Sequence, residues 1–234
     1  MNDVDDLLAL GDDALIAAQR LAEWCARAPE LEEDVALANI ALDQLGAARM
    51  LLSYAGEREG RGRDEDALAF LRDDRDFRNC LLVELPDGDF AVAMAKLLYL
   101  SAFQVLRYDA LAAGADERLA GIAGKTRKES AYHLDHATRW TVRLGDGTEE
   151  SHRRMQDAVD RLWPYTHELF TGGGAGLRDA WLALVEPVLA EAMLTRPVDG
   201  WTPAGGRTGV HTEHLSYLLT EMQVVHRAAP GAAW

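Results

Sequence analysis

A chain of 234 residues, 48% hydrophobic and 27% charged, has the make-up of a folded protein and can bury one sizeable core. Its net charge of −15 repels nucleic-acid phosphates and anionic lipid headgroups, so neither is expected as a partner. The acidic opening MNDVDDLLAL is unlike a signal peptide, and the apolar runs read as too short and interrupted to span a bilayer, which makes the cytoplasm the expected location.

Helical periodicity runs through the whole chain. In the first segment Leu8, Gly11, Leu15, Ala18, Ala22 and Cys25 recur at spacings of three and four, predicting a helix that ends near Arg27 and Pro29, with Cys25 as a small core residue. No CxxC or Cys/His spacing points to zinc. A second helix opens at Pro29, where Glu30, Glu32, Glu33 and Asp34 complement the helix dipole. Its inner stripe is Leu37, Ala41, Gln44, Ala48, Leu51 and Ala55, and it closes into Gly60-Arg61-Gly62-Arg63. Asp64 to Leu71 reads as a short helix and Asn79 to Leu85 as a connector. Pro86-Asp87-Gly88-Asp89 is a turn, because Pro presets φ and Gly permits a positive one.

A third long helix spans Phe90 to about Ala113 and a fourth about Asp116 to Leu144. The fourth has the stripe Leu119, Ile122, Thr126, Ser130, His133, Ala137, Trp140 and Leu144. Thr148 caps a fifth helix that reaches Phe170 with a kink at Pro164. The glycine-rich run 171–176 lacks the strand and the Lys-Ser/Thr ending of a phosphate loop and reads as a linker. A sixth helix covers 177–194. A Pro/Gly loop then holds Trp201, and a last helix runs from Thr212 to His226. His211-Thr212-Glu213-His214 is not HExxH and reads as a helix start capped by Thr212. The predicted fold is all-α: a four-helix bundle over about 3–144 with extra C-terminal helices over about 148–226, in one domain spanning 1–234.

Such bundles hold two metal ions when two helices each supply a Glu and the other two each supply a Glu-x-x-His. The polar residues on the inner stripes do not complete that set. The first helix offers Glu23, the second Asp43 and Gln44, the third Ser101, and the fourth Glu129, Ser130, His133 and His136. Three residues after Gln44 stands Ala47, and three before His133 stands Ser130. Each also has a plainer role: Glu23 as a surface carboxylate, Gln44 and His133 as hydrogen-bonded core residues, and Glu129 and His136 as members of surface pairs.

Several runs in order along the chain carry a resemblance. They are 19–25, 36–49, LLVELPDGDFA (81–91), KESAYHLDHA (128–137), RLGDGTEES (143–151), LWPYTHELF (162–170), HTEHL (211–215), EMQ (221–223), Pro230-Gly231 and Trp234. They resemble the PaaC family, the structural subunits of the bacterial phenylacetyl-CoA ring 1,2-epoxidase, a multicomponent monooxygenase. The resemblance implies a ferritin-like fold and a non-catalytic role in aerobic phenylacetate degradation. It implies pairing with, and stabilising, a catalytic subunit that holds the di-iron centre, and through it a link to a reductase. It further implies that Glu23, Gln44, Ala47, Ser101, Ser130 and His133 mark a vestigial metal site, with Asp43, Glu129 and His136 as a polar cluster beside it. This chain would then hold no metal, no cofactor and no catalytic residue. The competing reading is a stand-alone ferritin-like di-metal enzyme or metal-binding protein using Glu23, Asp43, Glu129, His133 and His136.

Overall fold

The computed structural model describes residues 3–229 and 232, so Pro230-Gly231 and Trp234 lie outside the described residues. Every regular element among the described residues is helical, as the periodicity requires, and the chain is all-α. The path divides into two units, Met1–Pro86 with Ala204–Trp234, and Asp87–Pro203.

The first unit is built on α1 (Asp3–Ala22) packed along α2 (Leu31–Glu59). From Leu7 to Leu21 almost every α1 side chain is buried, and small residues such as Ala14, Ala17 and Ala18 keep the packing close. A Cβ at Gly11 would stand 2.8 Å from Cδ2 of Leu52, so the two helices approach closely there. α1 ends at Ala22, short of the expected Arg27, because residues 23–27 form turns in which Ala26 takes a φ of 63°. The helical spacing therefore stops before Cys25, and the cysteine expected in the core is exposed, whereas Cys80 is buried.

α2 buries the predicted stripe, Leu37, Ala41, Gln44, Ala48, Leu51 and Ala55. Gly60 ends it in a left-handed conformation, its N–H donating to the Gly56 carbonyl. The chain then folds back so tightly that a Cβ on Gly56 would lie 2.0 Å from the Arg63 carbonyl oxygen. α3 (Glu65–Phe70) follows under an Asp64 cap, and α4 (Leu81–Glu84) is the short helical part of the expected connector. α4 packs on α1, while the last helix, α9 (Glu213–Ala228), packs on α3.

In the second unit Gly88 takes the predicted positive φ, 73°, and Asp89 caps α5 (Phe90–Ala112) by accepting from the Val92 N–H. α6 (Glu117–Gly145) packs along α5 and buries Leu119, Ile122, Thr126, Ser130, His133 and Ala137 as expected. Further on, Thr141 and Gly145 are buried, and Trp140 and Leu144 are only half-buried. A Cβ on Gly145 would lie 2.3 Å from the Ala192 carbonyl oxygen, so the chain that packs on this end of the helix, and not the spacing, sets which side is covered. α7 (Glu149–Leu162) begins with a capping box between Thr148 and Ser151. Pro164 does not kink a continuous α-helix. The α-helix stops at Leu162 and the chain continues as a 3-10 helix over Trp163–Phe170, consistent with the missing proline N–H. α8 (Arg178–Glu191) packs against α5 and α6.

By length and composition α2 and α5 could each cross a membrane, contrary to the expectation from the apolar runs. In α5, 83% of the most apolar stretch is buried in protein, the pattern of a core helix; in α2 the share is 44%, so much of an apolar helix is left uncovered.

Candidate functional site

The polar residues singled out on the long helices fall into two groups, one in each unit. In the first unit Gln44 and Ala47 share the buried face of α2, while Asp43 next to them in the chain is half-buried. Glu23 lies past the end of α1, exposed, with Oε1 2.6 Å from Nη1 of Arg20. In the second unit Ser130 and His133 share the buried face of α6 and Ser101 is buried on α5. Ser101 Oγ donates to the carbonyl of Leu97 on its own helix, at 2.5 Å. Ser130 Oγ has no hydrogen-bond partner among the described residues. Glu129 is half-buried and pairs with Lys125 one turn earlier, while His136 is half-buried. Gln44, Asp43, His133 and His136 each interact with a neighbour.

These positions do not fit a di-iron centre. Two irons need several carboxylates to bridge them and balance their charge, with imidazoles completing the set. Ala47 has no donor atom, Ser101 Oγ is engaged by a backbone carbonyl, and Glu23 sits at the surface beside a guanidinium. His133 is the one imidazole on the two half-motifs. Among the described residues no three His, Cys, Asp or Glu side chains form a group that could hold a metal ion.

A densely bonded set of buried charges lies elsewhere, in the first unit, where three carboxylates hold distant segments together. Asp12 on α1 takes a bidentate pair from Arg72 and accepts the Arg78 N–H at 2.8 Å. Its neighbour Asp13 accepts from the Cys80 N–H at 2.7 Å and from both terminal nitrogens of Arg207, at 2.9 and 2.7 Å. Burial pushes the Asp13 carboxyl up from the usual carboxylate range, and the Arg207 charge and hydrogen bonds pull it back.

Glu84, fully buried on α4, is the third carboxylate. Its Oε2 meets Asn79 Nδ2 at 2.9 Å and His211 Nδ1 at 2.8 Å, and its Oε1 accepts the Thr212 N–H at 2.7 Å. Its main-chain carbonyl accepts from Arg20 Nε and Nη2 at 3.0 and 2.7 Å. The string 211–214 therefore does open α9, but the expected cap is corrected: the Thr212 side chain makes no capping bond, and the Glu84 carboxylate reaches across to its backbone. Close contact accompanies these bonds, since a Cβ on Gly206 would lie 2.2 Å from the Asn79 carbonyl oxygen.

With every carboxylate oxygen occupied by protein donors and almost no exposure to solvent, this network is equipped to fix the segment 204–214 on α1 and α4, not to bind a substrate. Sequence periodicity passes over it. The available signal is a carboxylate inside an apolar run, Asp12-Asp13 within LALGDDALIA and Glu84 within LLVEL, because buried acids are rare unless paired.

Comparison with known proteins extends over almost the whole chain. Residues 2–234 match the family described as phenylacetic acid catabolic protein. The chain is also similar to a protein of Escherichia coli (strain K12) that is named as a subunit of the 1,2-phenylacetyl-CoA epoxidase. The two are 46% identical over 241 aligned residues, covering 97% of each.

Proposed function

The chain belongs to the phenylacetic acid catabolic protein family, and from that premise we propose that it is the non-catalytic structural subunit of a phenylacetyl-CoA 1,2-epoxidase complex. In this reading one ferritin-like domain pairs with and stabilises a catalytic subunit that holds the di-iron centre. A reductase is reached through that subunit, the chain itself holds no cofactor, and the complex works in the cytoplasm. The observation that carries the reading is the donor set on the inner faces of the long helices. Gln44, Ser101 and Ser130 cannot stand in for bridging carboxylates and Ala47 cannot stand in for an imidazole, while the likeness to an epoxidase subunit spans the chain.

Co-expression with the catalytic subunit, followed by size-exclusion chromatography and iron analysis of each chain, tests the proposal. The pair is expected to co-elute at micromolar concentration, with iron in the partner and well under one iron in this chain. About two irons in this chain, or epoxidation of phenylacetyl-CoA by this chain alone, would favour the stand-alone di-metal protein. Separate elution would remove the structural role.

A substitution at the remaining imidazole separates packing from chemistry. His133 is buried on α6, so His133→Ala is expected to lower stability by about 1–4 kcal/mol through lost packing and unpaired neighbours. Activity of the assembled complex should fall only as far as assembly falls. Unchanged stability with turnover abolished in a fully assembled complex would make His133 a chemical group and end the vestigial-site reading.

A further inference from the structure

The uncovered side of α2 has an order of its own. Leu31, Val35, Leu42 and Leu45 are 74%, 55%, 64% and 42% exposed, and Ala38 lies between them. Positions 31, 35, 38, 42 and 45 follow a four-three repeat, separate from the buried stripe on the same helix. That repeat is the spacing with which one α-helix seats the side chains of another. Alongside it a groove of ≈ 280 Å³ between α1 and α2 is lined by Ala18, Leu21, Ala22, Cys25, Ala38 and Leu42, with few polar atoms.

Resting on the pairing put forward above, we propose that this side of α2, with the groove beside it, is the docking face for an α-helix of the catalytic subunit. The stripe is about 21 Å long at 1.5 Å per residue, the length of a helix of about four turns. Under a helix about 10 Å across it offers a few hundred Å², the size of exposed apolar patch that marks a contact. A standard interface takes roughly 800 Å² from each partner, so the stripe is the apolar centre of a wider contact.

Charge selects the occupant. The Leu31 end is flanked by Glu30, Glu32, Glu33 and Asp34, and the whole chain carries −15. A second copy would bring the same net charge, and an anionic bilayer would be repelled as well. A partner helix with Lys or Arg flanking its apolar stripe meets this rim with opposite charge.

The test uses the co-expressed complex and the native cysteines. Leu42→Glu with Leu45→Glu should weaken pairing at least tenfold, while Leu42→Met with Leu45→Met keeps it. Both leucines are exposed, so circular dichroism and the melting midpoint of the isolated chain should be unchanged. Cys25 lines the groove and Cys80 is buried, so maleimide should label the free chain at one site. That labelling should slow at least tenfold in the complex, and it decides the matter alone if the double variant fails to fold. Normal pairing by the double Glu variant with Cys25 equally reactive in the complex overturns the docking face and leaves the pairing intact. Loss of self-association, or of binding to phosphatidylglycerol vesicles, with pairing unaffected overturns the choice of occupant. Failure of the native chain to pair at all is a failure of the proposed function itself.

Discussion

Arg72→Ala is expected to destabilise the protein by about 3–5 kcal/mol, because it leaves the Asp12 carboxylate buried without its cation. Arg72 is 3% exposed and Asp12 fully buried. The guanidinium holds both carboxylate oxygens, donates to the carbonyls of Leu68 and Asp76, and lies 4.2 Å from the centre of the Phe77 ring. Removing it also unseats the 72–78 segment from α1, since the Arg78 N–H shares Asp12 Oδ2. Denaturant unfolding of the isolated chain measures the loss. Replacing both partners, Asp12→Leu with Arg72→Met, should recover much of it, since the cost lies mainly in the stranded charge. A loss below about 1 kcal/mol for Arg72→Ala would mean that Asp12 finds water or another cation and that the pair is not what holds the segment.

Trp181→Ala is expected to cost a similar amount, about 3–5 kcal/mol, in the other unit. Trp181 on α8 is fully buried against Tyr99, Trp163 and Phe170, with ring centroids 5.3–5.5 Å from its own. Its indole N–H donates to the Tyr99 carbonyl at 2.9 Å, which fastens α8 to the middle of α5. Alanine loses the packing, leaves a cavity and removes that bond together. Trp181→Phe keeps most of the ring and should lose only about 1–2 kcal/mol. Near-UV circular dichroism should lose intensity in the alanine variant while far-UV helix signal is kept at low temperature. Equal losses for the alanine and phenylalanine variants would place the stabilisation in the hydrogen bond, not in the packed ring.

The features legible in the sequence are those governed by local rules. Gly60 and Gly88 end or turn the chain with positive φ where the sequence places them, and Asp64, Asp89, Asp116 and Thr148 cap their helices with side-chain bonds. The inner faces of α2 and most of α6 follow from the spacing of apolar residues. Where structure and periodicity part, a helix end or a tertiary contact intervenes. Cys25 leaves the core because α1 stops about one turn early, and the covered side at the end of α6 moves by a position because the chain at Ala192 packs against Gly145.

At the candidate site the absences are written in the chain: Ala47 after Gln44 and Ser130 before His133 are facts of composition that no fold can change. The all-helical class is written there too, because period 3.6 runs through each segment. The roles of Asp12, Asp13 and Glu84 emerge only once the chain is folded. Their cations and donors come from residues 20, 72, 207 and 211, up to 194 positions away, and pairing at that range leaves no periodic mark. The two apolar sides of α2 are likewise told apart only by packing. Both have the spacing of a buried face, and which one the rest of the chain covers depends on where α1 lies against it.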